Sequence, residues 1–173
     1  MPVSIAVKDD IQELVPLINS AYRGEASKKG WTTEADLLEG ELRTDISTLT
    51  HLLNNPNAAM LKYTNPDGSI SGCVFLEKKN KGLYLGMLTV SPLQQANGIG
   101  KQLLLASEVY AKENNCSYIF MNVLPQRLEL TAWYERNGYH KTGETNPFPD
   151  DNKFGTPTQP LEFIIMKKNI KQL

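Results

Sequence analysis

The stretch that most restricts this chain runs from Leu88 to Lys101, Leu-Thr-Val-Ser-Pro-Leu-Gln-Gln-Ala-Asn-Gly-Ile-Gly-Lys. An apolar run stops at Pro92, which lacks the N–H a strand ladder needs. After a polar loop, Gly98 and Gly100 open a segment in which Ile99, Leu103, Ala106 and Tyr110 recur at helical spacing. The chain here is strand, loop, helix, with two glycines in the helix's first turn. Free N–H groups and the positive dipole end attract anions at such a terminus. Glycines let a phosphate approach the backbone without a Cβ in the way. The physical reading is a phosphate or pyrophosphate cradle, and its alternative is a loop that uses glycine only to turn.

Two common phosphate loops are excluded by single positions. A dinucleotide fingerprint, GxGxxG, needs a third glycine where Leu103 stands. A Walker A loop, GxxxxGK followed by Ser or Thr, fails at Gln95 and Gln102.

The rest of the chain alternates element types. Residues 3–7 read as a strand, and Asp9-Asp10 offers a cap for a helix carried by Ile11, Leu14, Val15, Leu17 and Ile18. Thr32 or Thr33 can cap a second helix from Glu34, with Leu37, Leu38 and Leu42 as its apolar side. A short helix follows Asp45 or Ser47. Strands over 58–63, 70–77 and 83–90 are joined by Asn65-Pro66-Asp67-Gly68 and Lys78–Gly82, connections short enough for an antiparallel meander. After the long helix come a strand over 118–123, a helix over 128–137 with Gly138 just past its end, and strands over 139–141 and 161–167. Residues 143–160, with four prolines, read as a long irregular connection. The whole is one domain over residues 1–173, α+β with an α/β-like order and helices on both faces of a mixed sheet.

Composition excludes classes. With 173 residues, 18 Lys+Arg against 19 Asp+Glu and 40% apolar residues, the chain reads as one soluble globular domain and not as a strongly basic nucleic-acid binder. The first ten residues lack a basic leader followed by an apolar run, and no apolar run approaches the roughly 20 residues of a membrane span. Cys73 and Cys116 have no CxxC partner and only His51 and His140 for company, so no metal site is expected. They read as reduced core residues, in keeping with a cytoplasmic location.

Gln95-x-x-Gly98-x-Gly100 resembles the Arg/Gln-x-x-Gly-x-Gly/Ala signature of the GNAT superfamily of N-acetyltransferases. The flanking Thr-Val-Ser-Pro and Ile-Gly-Lys-x-Leu-Leu are similar too, as is Leu130-Thr131-Ala132-Trp133-Tyr134-Glu135-Arg136-Asn137-Gly138-Tyr139 to the family's helix-to-strand motif. The two motifs and the element order cover about residues 57–142. Residues 30–38, Gly-Trp-Thr-Thr-Glu-Ala-Asp-Leu-Leu, look like a block of one bacterial group of these enzymes. The resemblance implies an acyl-CoA N-acyltransferase fold with a mixed, mostly antiparallel sheet of about seven strands. It implies acetyl transfer from acetyl-CoA to an amine, with no metal.

By the same resemblance, backbone at Leu88, Thr89 and Val90 would pair with the pantetheine amides, and Gln95, Ala96, Asn97, Gly98, Ile99, Gly100 and Lys101 would hold the pyrophosphate. Tyr134 would act as general acid beside the thioester sulfur. Two positions depart from the family. Gly86 stands where many members carry a glutamate base, and Glu34 is the candidate to replace it. Arg127 stands where an Asn is common, within reach of the 3′-phosphate, the substrate or a neighbouring glutamate. Tyr22, Trp31, Glu34 and Arg127 are candidate acceptor contacts, with the Phe148–Phe154 loop as a further apolar wall.

Glu34, Asp36, Glu39, Glu41 and Asp45 against Arg43 suggest an acidic rim that attracts a cationic amine, or else a solvated face. The acceptor expected is a small or amino-acid-like primary amine. The alternatives are a protein lysine or N-terminal amine as acceptor, and a non-catalytic acyl-CoA sensor of the same fold, which Gly86 favours. The partners expected are acetyl-CoA and the acceptor, with neither nucleic acid nor membrane, and with a homodimer compatible.

Overall fold

The computed structural model describes residues 2–171 except 24–26, 29–32, 41, 95–96, 150–152 and 154. Strand β1 (Val3–Ile5) and a single 3-10 turn lead into α1 (Ile11–Tyr22). Its expected apolar face is the buried one, with Leu14 and Ile18 fully enclosed. Asp10 stands at the cap position, but its carboxylate turns back to accept from the Val7 N–H at 2.7 Å and pairs with Lys62.

The second helix expected from Glu34 is replaced by a turn over 35–37 and the two-residue β2 (Leu38–Glu39). Tertiary contacts override the local pattern there. Leu38 is enclosed, Leu42 is half exposed, and the Glu34 side chain is drawn into a buried ion pair, so these positions share no single face. The next helix, α2 (Ile46–Leu53), forms as expected, capped by the Asp45 carboxylate on the Thr48 N–H at 2.7 Å.

The meander is β3 (Ala58–Thr64), β4 (Ile70–Lys79) and β5 (Gly82–Val90), all antiparallel. Then come α3 (Ile99–Glu113), β6 (Tyr118–Val123), α4 (Leu128–Arg136), β7 (His140–Pro147), β8 (Thr156–Pro157) and β9 (Glu162–Asn169). The seven-stranded sheet runs β1-β3-β4-β5-β6-β9-β7, with only β5 and β6 parallel, and β2 pairs separately with β8. The irregular connection expected over 143–160 therefore holds strand at both ends. His140 to Pro147 is polar and exposed, an edge strand without the alternation that would have announced it.

Helices cover both faces. Leu103, Leu104, Leu130 and Tyr134 from α3 and α4 pack on one side, and Leu14, Ile18 and Leu49 from α1 and α2 on the other. Gly72 on β4 lets α3 close on the sheet, since a Cβ there would lie 2.8 Å from Ile99 Cγ2. Cys73 and Cys116 are buried free thiols. Burial pushes the Cys73 thiol up to about 12, which suits a core residue and not a nucleophile. No helix among the described residues is long and apolar enough to cross a membrane, and among them no His/Cys/Asp/Glu group could hold a metal ion.

Candidate active site

The site is built on a fork. The parallel β5–β6 ladder covers only Gly82↔Tyr118, Leu83↔Ile119 and Tyr84↔Phe120. Beyond it, β5 stays with β4 through Thr89↔Cys73 and Val90↔Gly72, and β6 stays with β9 through Val123↔Ile164. The cause of the parting lies on β5. Met87 and Leu88 together oppose Val74, and Met87 takes φ 51°, a bulge that bends the strand away. The Thr89 hydroxyl, fully buried, donates to the Met87 carbonyl at 2.9 Å and fixes that bend.

On one side of the fork lies the N-terminus of α3. Gly98 is its cap, with φ 73° and open space where a Cβ would project. Gly98, Gly100 and Lys101 face Leu128, Ala132 and Trp133 of α4 across an open groove of about 660 Å³. Free backbone donors, the positive dipole end and the open approach suit an anion.

On the other side, between the parted strands, is a cavity of about 390 Å³. Helix α4 stands between groove and cavity, and turns Arg127, Leu130 and Tyr134 to the cavity, positions one helical face apart. The end of α4 is closed by Gly138 at φ 93°, with the Gly138 N–H on the Glu135 carbonyl and the Tyr139 N–H on the Tyr134 carbonyl, both near 3.0 Å. This pairing of a left-handed glycine with two reversed bonds explains why Tyr134, Gly138 and Tyr139 occur together in the motif. Tyr134 is 4% exposed, and burial holds its phenol well above the ordinary value, helped by the Tyr22 phenol and opposed by the Arg127 guanidinium. Among the described residues its hydroxyl makes no hydrogen bond.

The charged wall differs from the expectation. Glu34 is buried and pairs with Arg23 through Oε1 and with Arg127 at 3.0 Å through Oε2. Burial works against its charge, but the guanidiniums of Arg127, Arg23 and Arg43 override that and hold its carboxyl below the usual range. Such a carboxylate is a weak base. Arg127 thus turns to Glu34 and the cavity, and its guanidinium lies 5.4 Å from the Tyr22 ring centre, as does that of Arg43. Of the acidic rim suggested for residues 31–45, Glu41 and the Glu39 side chain lie outside the described residues, and the described acids place one carboxylate on the cavity. Asp36 points to solvent, Asp45 caps α2, and among the described residues Glu34 is the one carboxylate on the wall, against Arg23, Arg43, Arg127 and Lys153.

Tyr22 lines the cavity, and burial pushes its phenol up to about 12. Its hydroxyl donates to the Leu88 carbonyl at 2.5 Å, so that one backbone acceptor of the fork is already engaged. Gly86 is crowded: a Cβ there would lie 2.9 Å from the Tyr84 ring, which packs 5.6 Å from Phe120. Phe148 and Pro149 supply the apolar wall expected of that loop, with Phe148 5.2 Å from Phe163. Trp31, Phe154, Gln95 and Ala96 lie outside the described residues.

Sequence reasoning missed Arg23, Tyr84 and Asn122 on the cavity wall. Asn122 had a signal, a polar residue inside the otherwise apolar run 118–123, and its Oδ1 accepts from Asn146 at 3.0 Å. Arg23 had none, because its partner lies eleven residues on in the chain.

A model of the GNAT family of acetyltransferases matches residues 13–139. No curated protein sequence matches the chain. Among solved structures the chain is similar to a GNAT-family acetyltransferase of Staphylococcus aureus Mu50, with 20% identity, 98% of each chain covered and a TM-score of 0.69. It is also similar to smu.2055 of Streptococcus mutans UA159, with 16% identity, 99% of this chain and 100% of that one covered, and a TM-score of 0.74. A third is the ribosomal-protein-S18-alanine N-acetyltransferase of Escherichia coli, with 14% identity, 99% and 94% covered, and a TM-score of 0.73. At these identities the likeness is one of fold. The family match is broader than any one motif, running from α1 through the forked strands and the glycine-opened helix to Tyr139, and by it the chain belongs to the GNAT acetyltransferase family.

Proposed function

We propose that the protein transfers the acetyl group of acetyl-CoA to the primary amine of a small acceptor, with Tyr134 as general acid. The observation that carries this reading is the placement of Tyr134 on the cavity wall, on the helix that also forms one side of the Gly98–Lys101 groove. Backbone of Leu88, Thr89 and Val90 on the open fork would take the pantetheine amides as an added strand does. Gln95, Ala96, Asn97, Gly98, Ile99, Gly100 and Lys101 would hold the pyrophosphate.

The amine nitrogen attacks the thioester carbonyl, the C–N bond forms and the C–S bond breaks. Tyr134, kept protonated by burial, gives its proton to the departing sulfur. The proton lost by the amine leaves to solvent, and Tyr134 is reprotonated from there. Glu34 acts as a positioning residue that fixes Arg23 and Arg127, and Tyr22 and Arg127 border the acceptor.

The test is a melting shift with acetyl-CoA followed by free-thiol release over a panel of amines. Absence of a shift overturns the reading. Gly86, with the Tyr84 ring over it, favours a second reading, a non-catalytic acyl-CoA binder. A shift with no thiol release on any amine supports that one instead.

A further inference from the structure

We infer that the acceptor is an amine that also carries an anionic oxygen group, and that the Arg43 guanidinium receives that group. This rests on the acetyltransferase reading and names the substrate class of the same cavity.

The argument starts from charge. Arg23, Arg43 and Arg127 line the cavity against the single described carboxylate of Glu34. Both Glu34 oxygens are engaged, one by Arg23 and one by Arg127. Arg43 is held differently. Its main-chain N–H is fixed by the Asn19 side chain at 2.5 Å, and its guanidinium lies over the Tyr22 ring. Among the described residues it makes no ion pair, and a ring face satisfies none of its five N–H donors. A half-buried guanidinium so placed is pre-organised for a planar, bidentate anion. Tyr22 connects it to the fork, since its hydroxyl is on the Leu88 carbonyl. The anion site is therefore one phenol ring from the strand along which the thioester would lie.

The same excess of positive charge acts on the acceptor nitrogen. An ammonium group entering this wall is disfavoured relative to the neutral amine, so its proton affinity falls. Neutral amine is the reactive form. The cavity thus supplies part of what a carboxylate at position 86 would have supplied, while the acceptor's own anion provides the binding energy.

The test compares matched amines that differ in the anion, in wild type and in Arg43→Ala and Arg43→Lys. The pairs are L-phenylalanine with phenethylamine, L-lysine with cadaverine, and phosphoethanolamine with ethanolamine, read by free-thiol release at saturating acetyl-CoA. At least one anionic member is expected to exceed its neutral partner by about 10- to 100-fold in kcat/KM. Arg43→Ala is expected to bring that ratio near unity, chiefly through KM, and Arg43→Lys to restore part of it. The amino acids and the phosphate monoester separate carboxylate from phosphate as the anion. Neutral members reacting as well as or better than anionic ones, or a ratio unmoved in Arg43→Ala, overturns the inference and leaves the acetyltransferase reading standing. Acetyl-CoA binding with no anionic amine acetylated also overturns it. Absence of any acetyl-CoA melting shift instead removes the parent reading.

Discussion

The hydroxyl of Tyr22 reaches the main-chain carbonyl of Leu88 across 2.5 Å, tying the last residue of α1 to the bulge that opens β5 from β6. One side chain thus holds the acceptor wall and the thioester strand in register. Tyr22→Phe leaves a buried carbonyl without its donor, and a loss of about 1–3 kcal/mol in unfolding free energy is expected. KM should rise for both substrates, since both sides of the fork lose their strut. A denaturant melt with two-substrate kinetics checks it. Burial raises the folded phenol from 10.0 to about 12, so the stability it confers is complete below pH 10 and is lost as pH rises toward 12. Tyr22→Phe should lack that alkaline component.

Glu34 offers the opposite sign. Its folded carboxyl is depressed, so its contribution is present above the unfolded value of about 4.3 and is lost as pH falls through the folded one. Glu34→Gln strands Arg23 and Arg127 without their carboxylate, for an expected loss of about 3–5 kcal/mol. Melting temperature against pH should show a steep acid decline in wild type and a flatter one in the variant. A general base would behave otherwise, with the acidic limb of the kcat/KM profile moving while the melt stayed unchanged.

These two residues mark how far the sequence could be read. The Leu88–Lys101 loop and the Tyr134–Tyr139 motif are local: a proline, a left-handed glycine and helical spacing each act within a few residues, and all appear in the folded chain where expected. The order of the main strands and of the helices over 11–22, 46–53, 99–113 and 128–136 followed from the same local rules, whereas the helix expected from Glu34 and the irregular 143–160 did not hold. The charge of the cavity did not, because it depends on which groups meet across the fold. Glu34 pairs with Arg127 ninety-three positions away, which removes it both from the expected helix and from the expected acidic rim. The bulge at Met87 was also hidden, since a non-glycine residue at φ 51° leaves no sign in composition.

Gly98 separates binding from chemistry. At φ 73° an alanine is strained by about 1–2 kcal/mol, and its Cβ would project into the open approach to the α3 N-terminus. Gly98→Ala should raise KM for acetyl-CoA about tenfold, the worth of about 1.4 kcal/mol of lost contact, while kcat is largely kept. Titration with desulfo-CoA by calorimetry gives the affinity directly.

Restoring a glutamate at position 86 should not restore a base. The Cβ of Gly86→Glu would meet the Tyr84 ring at 2.9 Å, and that ring is held against Phe75 and Phe120. The expected result is a destabilisation of about 1–3 kcal/mol from overpacking and no gain in kcat. A melt and a single progress curve decide it, and a faster enzyme would show that the ring yields.

Tyr134→Phe tests the chemistry itself. The ring stays, so packing against Trp133 and Tyr139 at 5.3 and 5.7 Å is preserved, and among the described residues no hydrogen bond of the hydroxyl is lost. Stability should change by less than about 1 kcal/mol. What disappears is the proton donor facing the cavity, and kcat should fall about 100-fold or more, with acetyl-CoA affinity nearly unchanged. The pH dependence gives a second check. Burial holds the folded phenol well above 10.0, so wild-type kcat should stay level through pH 10, where an exposed tyrosine acid would already be half ionised. A decline centred at the ordinary value would mean that the phenol is not the buried donor, and full turnover in Tyr134→Phe would remove its role altogether.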